Sequence, residues 1–167
     1  MYDGIYSTID IPKSYNRNPI TTISSSAFTN NTTLTQITLP STITSIGAGA
    51  FNGCSSLASV SISSNITLID YFAFNACTSL VSISIPSSVL ELETGVFQNC
   101  NSLQTITIGS GLTTIDAWVF EGCTSLETIN YSGTKTQWNA ISKRSDSFLS
   151  GISIDVVCTD ETITIQY

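Results

Sequence analysis

Apolar residues return along this chain at a fixed interval. Phenylalanine stands at Phe28, Phe51, Phe74, Phe97 and Phe120, each 23 residues after the last. Six residues beyond each comes a leucine, at Leu34, Leu57, Leu80, Leu103 and Leu126. Ile37, Val60, Ile83, Ile106 and Ile129 follow three residues later, then Leu39, Ile62, Ile85, Ile108 and Tyr131 two residues on. Cys54, Cys77, Cys100 and Cys123 each lie three residues after a Phe, with Asn31 in the first copy. Five copies run without an insertion or deletion. One such unit cannot bury its apolar side alone, so a fixed period of this size implies stacked copies with one continuous core.

Inside each copy the apolar spacing changes. Residues 34–39, 57–62, 80–85, 103–108 and 126–131 alternate apolar with hydroxyl side chains, the pattern of a half-buried strand. A second apolar pair follows, as in Ile43 and Ile46, Ile66 and Ile69, Val89 and Leu92, or Leu112 and Ile115. The stretch before each Cys, such as IGAGAFNGC, is rich in Ala and Phe and predicts one to three helical turns that drop the Phe into the core. Parallel strands about 4.8 Å apart would stack equivalent residues into ladders. The Phe and Leu ladders are therefore core and not a cofactor box.

A degenerate copy precedes the five. Tyr6-Ser-Thr-Ile9-Asp-Ile11-Pro12 aligns with Leu34-Thr-Gln-Ile37-Thr-Leu39-Pro40, and the surplus of five residues fits in the turn-forming loop KSYNRNP. At the other end, TKTQWNAI predicts a short helix with Trp138 and Ile141 on one face. SKRSDSFLSG reads as a loop, and ISIDVV and TITIQY as two short strands. Residues 134–167 would cover the core side chains and free strand edge that an open end exposes.

The unit I-x-x-I-x-x-x-A-F-x-x-C-x-S-L-x-x-I-x-I-P, seen in SIGAGAFNGCSSLASVSI and LETGVFQNCNSLQTITI, resembles the BspA-like leucine-rich repeats over residues 20–131. The tail from YSGTKTQWNAISKRS resembles segments that close such arrays. The resemblance implies an α/β solenoid, a right-handed coil with short parallel strands and short helical turns, capped at both ends. It divides the chain into an N-terminal cap with a degenerate repeat at 1–19, a leucine-rich repeat array at 20–133 and a C-terminal cap at 134–167. It further implies an extracellular or cell-surface protein, associated with adhesion to host proteins or other cells, and supplies no catalytic residues.

Composition narrows the chemistry. The net charge is −7, and no Lys or Arg lies between residues 18 and 134. Phosphate backbones and anionic lipid both require clustered bases, so nucleic acid and charged membrane surfaces are excluded as partners. No apolar stretch approaches the roughly 20 residues of a membrane span, and no membrane insertion is expected. MYDGIYSTID lacks the basic and apolar regions of a secretory signal. That leaves a virion-exposed or intracellular protein as the alternative placement. The chain has no His, which rules out Ser-His-Asp and Cys-His sites, and no phosphate loop or dinucleotide fingerprint occurs. We expect no enzyme, no cofactor and a monomer.

Cysteines 23 apart match no zinc pattern, and we expect buried free thiols. Ser24, Asp70, Glu93 and Asp116 share one repeat position with Gly47. Their expected role is capping of the helical turns, not calcium binding. With 51 Ser or Thr among 167 residues, Asn-x-Ser/Thr matches at Asn30, Asn31, Asn65 and Asn130 arise by chance. Two sets of candidate ligand-binding residues remain. One is the hydroxyl row flanking the strand isoleucines: Gln36, Thr38, Ser59, Ser61, Ser82, Ser84, Thr105 and Thr107, continuing to Thr128 and Asn130. The other is aromatic: Tyr71, Phe72 and Trp118, with Tyr15, because Tyr and Trp dominate interface energetics. A protein or glycan ligand fits both sets. The alternative is a structural component, such as a rigid spacer, with no small-molecule ligand.

Overall fold

The computed structural model describes residues 7–148 and 153–166. The chain winds as a solenoid of stacked coils, each contributing to three ladders. In the first ladder, Thr8–Asp10 pairs in parallel with Gln36–Thr38, and that strand with Ser59–Ser61. Ser82–Ile85, Thr105–Ile108, Thr128–Tyr131 and Ser153–Val157 form a second parallel run. Thr162–Gln166 closes that run as an antiparallel edge. Ile9 faces Ile37, the register given by the degenerate first copy. Tyr6, Ile152 and Tyr167, the outermost residues of the expected end strands, lie outside the described residues.

The second ladder is built from two-residue strands around the second apolar pair. Thr22–Ile23, Ser45–Ile46 and Leu68–Ile69 form one set. Glu91–Leu92, Thr114–Ile115 and Ser142–Lys143 form the other. Both strand ladders thus break at the same point, between the coil carrying Ser59–Ser61 and the coil carrying Ser82–Ile85.

The third ladder corrects an expectation. The Ala- and Phe-rich segments are not helical turns; they are runs of tight turns, and among the described residues the only α-helix is Lys135–Ala140. Hydrogen bonding alternates along each run. Ala50, Asn52 and Cys54 N–H donate within their own coil to the carbonyls of Gly47, Gly49 and Phe51. Gly49, Phe51 and Gly53 N–H donate to Tyr71, Ala73 and Asn75 of the next coil. A helix would consume every N–H internally and leave none to join the coils. The alternation needs a left-handed residue every fourth position: Ser26 and Asn30, Gly49 and Gly53, Phe72 and Ala76, Gly95 and Asn99, Trp118 and Gly122, all at φ between 55° and 73°.

The core follows the sequence ladders. Phe28, Phe51, Phe74, Phe97 and Phe120 stack with centroids 5.2, 5.2, 5.7 and 6.1 Å apart and nearly parallel planes. Leu34, Leu57, Leu80 and Leu103 are fully buried. Each of the four ladder thiols donates to the Phe carbonyl of the preceding coil, as from Cys54 Sγ to Phe28 at 3.0 Å and from Cys100 Sγ to Phe74 at 3.1 Å. All five cysteines are free, and burial pushes the thiol pKa of Cys54 up to about 11 and of Cys123 up to about 12. A buried thiol this reluctant to ionise is a poor nucleophile. We expect Ellman's reagent to leave the four ladder thiols unmodified in folded protein at pH 8 and to titrate them at once in guanidinium. Rapid modification of two or more without denaturant would contradict the packing.

The ends depart from the repeat. At the start, Ser14–Tyr15 and Asn18–Pro19 form a hairpin whose tip, Asn16 and Arg17, has positive φ. This hairpin absorbs the five surplus residues. At the other end, the expected loop from 142 is corrected. Ser142–Lys143 continues the second ladder, and Phe148 bridges Phe120 with ring centroids 5.0 Å apart. The helix Lys135–Ala140, capped by a Thr134–Gln137 capping box, is the insertion in this further coil. Trp138 is buried edge-on against Tyr131, 5.4 Å away. The Lys143 ammonium ties the helix end down by donating to the carbonyls of Trp138 and Ile141. The end of the loop reading, residues 149–151, lies outside the described residues.

Candidate functional site

Strand alternation sends every second side chain outward, and parallel pairing brings those side chains into register. Gln36 sits beside Ser59 and Thr38 beside Ser61; Ser82 adjoins Thr105, then Thr128, and Ser84 adjoins Thr107, then Asn130. Gln36, Ser59, Ser61, Ser82 and Ser84 are exposed or nearly so, whereas Thr38, Thr105 and Thr107 are half-buried. The rows are therefore real surface features, divided where the strand ladder breaks. At that break lies a slot of about 310 Å³ lined by Ser59, Val60, Ser61, Ile62, Ser82, Ile83 and Ser84.

The aromatic candidates belong to the turn ladder, so the structure does not bring them together with the hydroxyl rows. Phe72 and Trp118 share a single row position with Gly49 and Gly95, and that position has φ near +60°. Glycine is the residue such a backbone favours, and a bulky side chain there is strained. Phe72 has a packing role, because its ring occupies the space a Cβ on Gly95 would take, 2.3 Å from Phe72 Cε1. Trp118 is 43% exposed and Tyr71 49% exposed. Tyr15, at 71%, stands apart on the first-coil hairpin.

The acid row is not helix capping, since no helix starts there. Asp70 accepts the Tyr71 N–H at 2.8 Å, and Asp116 accepts the Thr94 hydroxyl at 2.8 Å and faces Arg144 at 3.5 Å. Glu93 lies between them. Its partial burial, then the charges of Glu91, Asp70 and Asp116, raise its carboxyl pKa above the usual range. The same acids, Glu93 foremost, raise the Tyr71 phenol. Among the described residues, no three acids or thiols are placed to hold a metal ion. A carboxyl whose pKa is raised by folding favours the protonated form in the folded state, so its charge costs stability as pH climbs through that pKa. Glu93→Gln should therefore raise the thermal midpoint at pH 7. An exposed-charge effect of roughly 0.5 kcal/mol corresponds to about 1–2 °C here. The gain should disappear at pH 4; an equal gain at both pH values would show that charge is not its cause.

Sequence reasoning missed four exposed aliphatics, Leu68, Val81, Leu90 and Val157, at 41%, 46%, 57% and 37%. The signal was available: Leu90 stands where neighbouring coils carry Thr67 and Thr113, and Leu68 where they carry Ser45, Glu91 and Thr114.

Comparison with known proteins supplies the context. The sequence profile of the BspA type leucine rich repeat region matches six copies over residues 21–145. A crystal structure of a leucine rich cell surface protein from Faecalibacterium prausnitzii A2-165 is 36% identical with a TM-score of 0.76. The match covers 84% of this chain and 36% of that one. The leucine rich repeat protein of T. pallidum is 27% identical with a TM-score of 0.72, over 74% of this chain and 58% of that one. The pneumococcal vaccine antigen PcpA shares the fold at 21% identity and a TM-score of 0.76, over 93% and 37% of the two chains. This chain thus spans between about a third and three-fifths of the length of these relatives. No curated protein matches it.

Proposed function

Because the chain belongs to the BspA-type leucine-rich repeat family, whose repeats generally serve as interaction modules, we propose that it is a non-catalytic binding module displayed at a cell surface, engaging a protein or glycan through its outward rows. The observation that carries this reading is Trp118, a large exposed side chain held on a left-handed backbone where two other coils use glycine. Strain of this kind costs about 1–3 kcal/mol and concentrates at functional sites. Tyr71 stands near the same row, and the hydroxyl rows offer a second, uncharged surface. The similar Faecalibacterium protein is a cell surface protein, which supports the same location here.

A glycan and host-protein array probed with the intact chain tests this directly. Trp118→Gly should leave the thermal midpoint unchanged or raise it slightly, because glycine relieves the backbone, while binding falls at least tenfold. Tyr71→Ala should add to that loss. Full binding by the Trp118→Gly, Tyr71→Ala double variant would move the site to the hydroxyl rows. An array with no hits would favour a rigid structural spacer instead.

A further inference from the structure

We infer that the solenoid carries a built-in joint between the coil of Ser59–Ser61 and the coil of Ser82–Ile85, opening on the strand side about the turn ladder. The two strand ladders break there and nowhere else in the regular array. Elsewhere Thr67 N–H reaches the Thr44 carbonyl at 2.9 Å and Thr113 N–H reaches Leu90 at 2.8 Å; the matching bond from Leu90 to Thr67 is not made. Asp70 N–H donates to Ile46 and Asp116 N–H to Leu92, but Glu93 N–H does not donate to Ile69. On the turn side every link survives: Phe72 to Thr94 at 3.0 Å, Phe74 to Val96 at 2.9 Å and Ala76 to Gln98 at 2.8 Å. One face keeps its backbone hydrogen bonds and the other lacks them, which defines a hinge axis along the turns.

Two residues at this interface favour a break without either being sufficient. Gly109 N–H donates to the Ile85 carbonyl and Ser132 N–H to Ile108, whereas Pro86 has no N–H to offer the carbonyl of Ile62; Pro40, at the same repeat position, stands in a pair that stays joined. Val60 is also smaller than its counterparts Ile37, Ile83, Ile106 and Ile129 in the regular copies. Val60 and Ile83 keep 9% and 4% exposure, where Ile37, Ile106 and Ile129 have none. Four of the residues lining the slot between them are serines, whose hydroxyls water satisfies nearly as well as a direct bond. Widening it therefore surrenders apolar contact but few hydrogen bonds. Ser88, whose hydroxyl donates to the Ser64 and Ile66 carbonyls, is the side-chain strap that crosses the joint next to the strands.

Distance measurements between spin labels test the joint, with Cys158→Ser as background and the ladder thiols shielded by burial. Three pairs each span three coil steps. Gln36→Cys with Thr105→Cys crosses the joint on the strand side, Asn52→Cys with Glu121→Cys crosses it on the turn side, and Ser82→Cys with Asp155→Cys avoids it. The expected result is a distance distribution at least twice as broad for the first pair as for the other two. A first pair as narrow as the third would overturn the joint. So would a turn-side pair as broad as the first, since that would mean general looseness. Hydrogen exchange gives an independent reading on unmodified protein. The Leu90 and Glu93 amides should exchange at least tenfold faster than Thr113 and Asp116, and equal rates would also overturn the proposal.

Discussion

A chain ending at Gly133 should aggregate or associate end to end, while the intact chain stays dispersed. The cut removes four groups that the last regular coil leans on. Phe148 covers Phe120, Trp138 covers Tyr131, Ser142–Lys143 pairs with Thr114–Ile115, and Ser153–Val157 pairs with Thr128–Tyr131. Trp138, Phe148, Ile154 and Val156 are all at least 95% buried. Full burial of such a side chain is worth about 1.5–3 kcal/mol, so losing four of them and uncovering their partners rivals the ~5–15 kcal/mol that stabilises a typical domain. Solenoid stability is close to a sum of neighbour contacts, so damage should begin at the cut and fray inward. Size-exclusion chromatography and hydrogen exchange read the result. A monomer with normal protection at Thr128–Tyr131 would show that the tail is dispensable.

The second large effect is expected at Phe74. It is fully buried, stacked on Phe51 at 5.2 Å and on Phe97 at 5.7 Å. Phe74→Ala leaves a ring-sized cavity in the one ladder that remains hydrogen-bonded where the strand ladders part. Large-to-small changes of this kind cost about 3–5 kcal/mol. The end-coil control, Phe28→Ala, should cost less, because Phe28 retains 8% exposure where Phe74 has none. Urea unfolding of both variants decides the order. The expected Phe74→Ala transition is also broader than wild type, because a weakened link lets the two parts of the array melt separately. Equal losses at Phe28 and Phe74 would mean that stacking across the centre contributes nothing special.

The solenoid itself was legible in the sequence because its core is periodic. The 23-residue spacing of Phe28 through Phe120 placed every ladder, and the match of Ile9 to Ile37 gave the register of the first strand. The turn geometry was not legible. Alanine favours helix locally, whereas the bonds that decide the outcome run to the next coil, and no local propensity records them. The glycines at 49, 53, 95 and 122 were the available hint, since four positive-φ positions at repeat spacing contradict a helix. The further coil at the C-terminal end was hidden by its helical insertion, although Phe148 stands 28 residues after Phe120, the interval already seen from Pro12 to Pro40. Of the candidate site, the hydroxyl rows followed from strand alternation. The division of those rows did not, because it lies in backbone bonds between two coils, and Pro40, at the same repeat position as Pro86, stands in a pair that stays joined.

The alternating hydrogen bonds of the turn ladder also restrict how such a protein can change in length. Each N–H in a turn run is committed either to its own coil or to the next, by turns. One added or deleted residue would exchange the two commitments downstream and swing the following Phe away from the stack. Spare residues are accommodated only between strands, as in the Ser14–Pro19 hairpin and the Lys135–Ala140 helix. A gene for this chain can therefore lengthen or shorten it in whole coils far more readily than by single codons. The length of the solenoid becomes a matter of copy number, adjustable by unequal recombination in steps of about 4.8 Å.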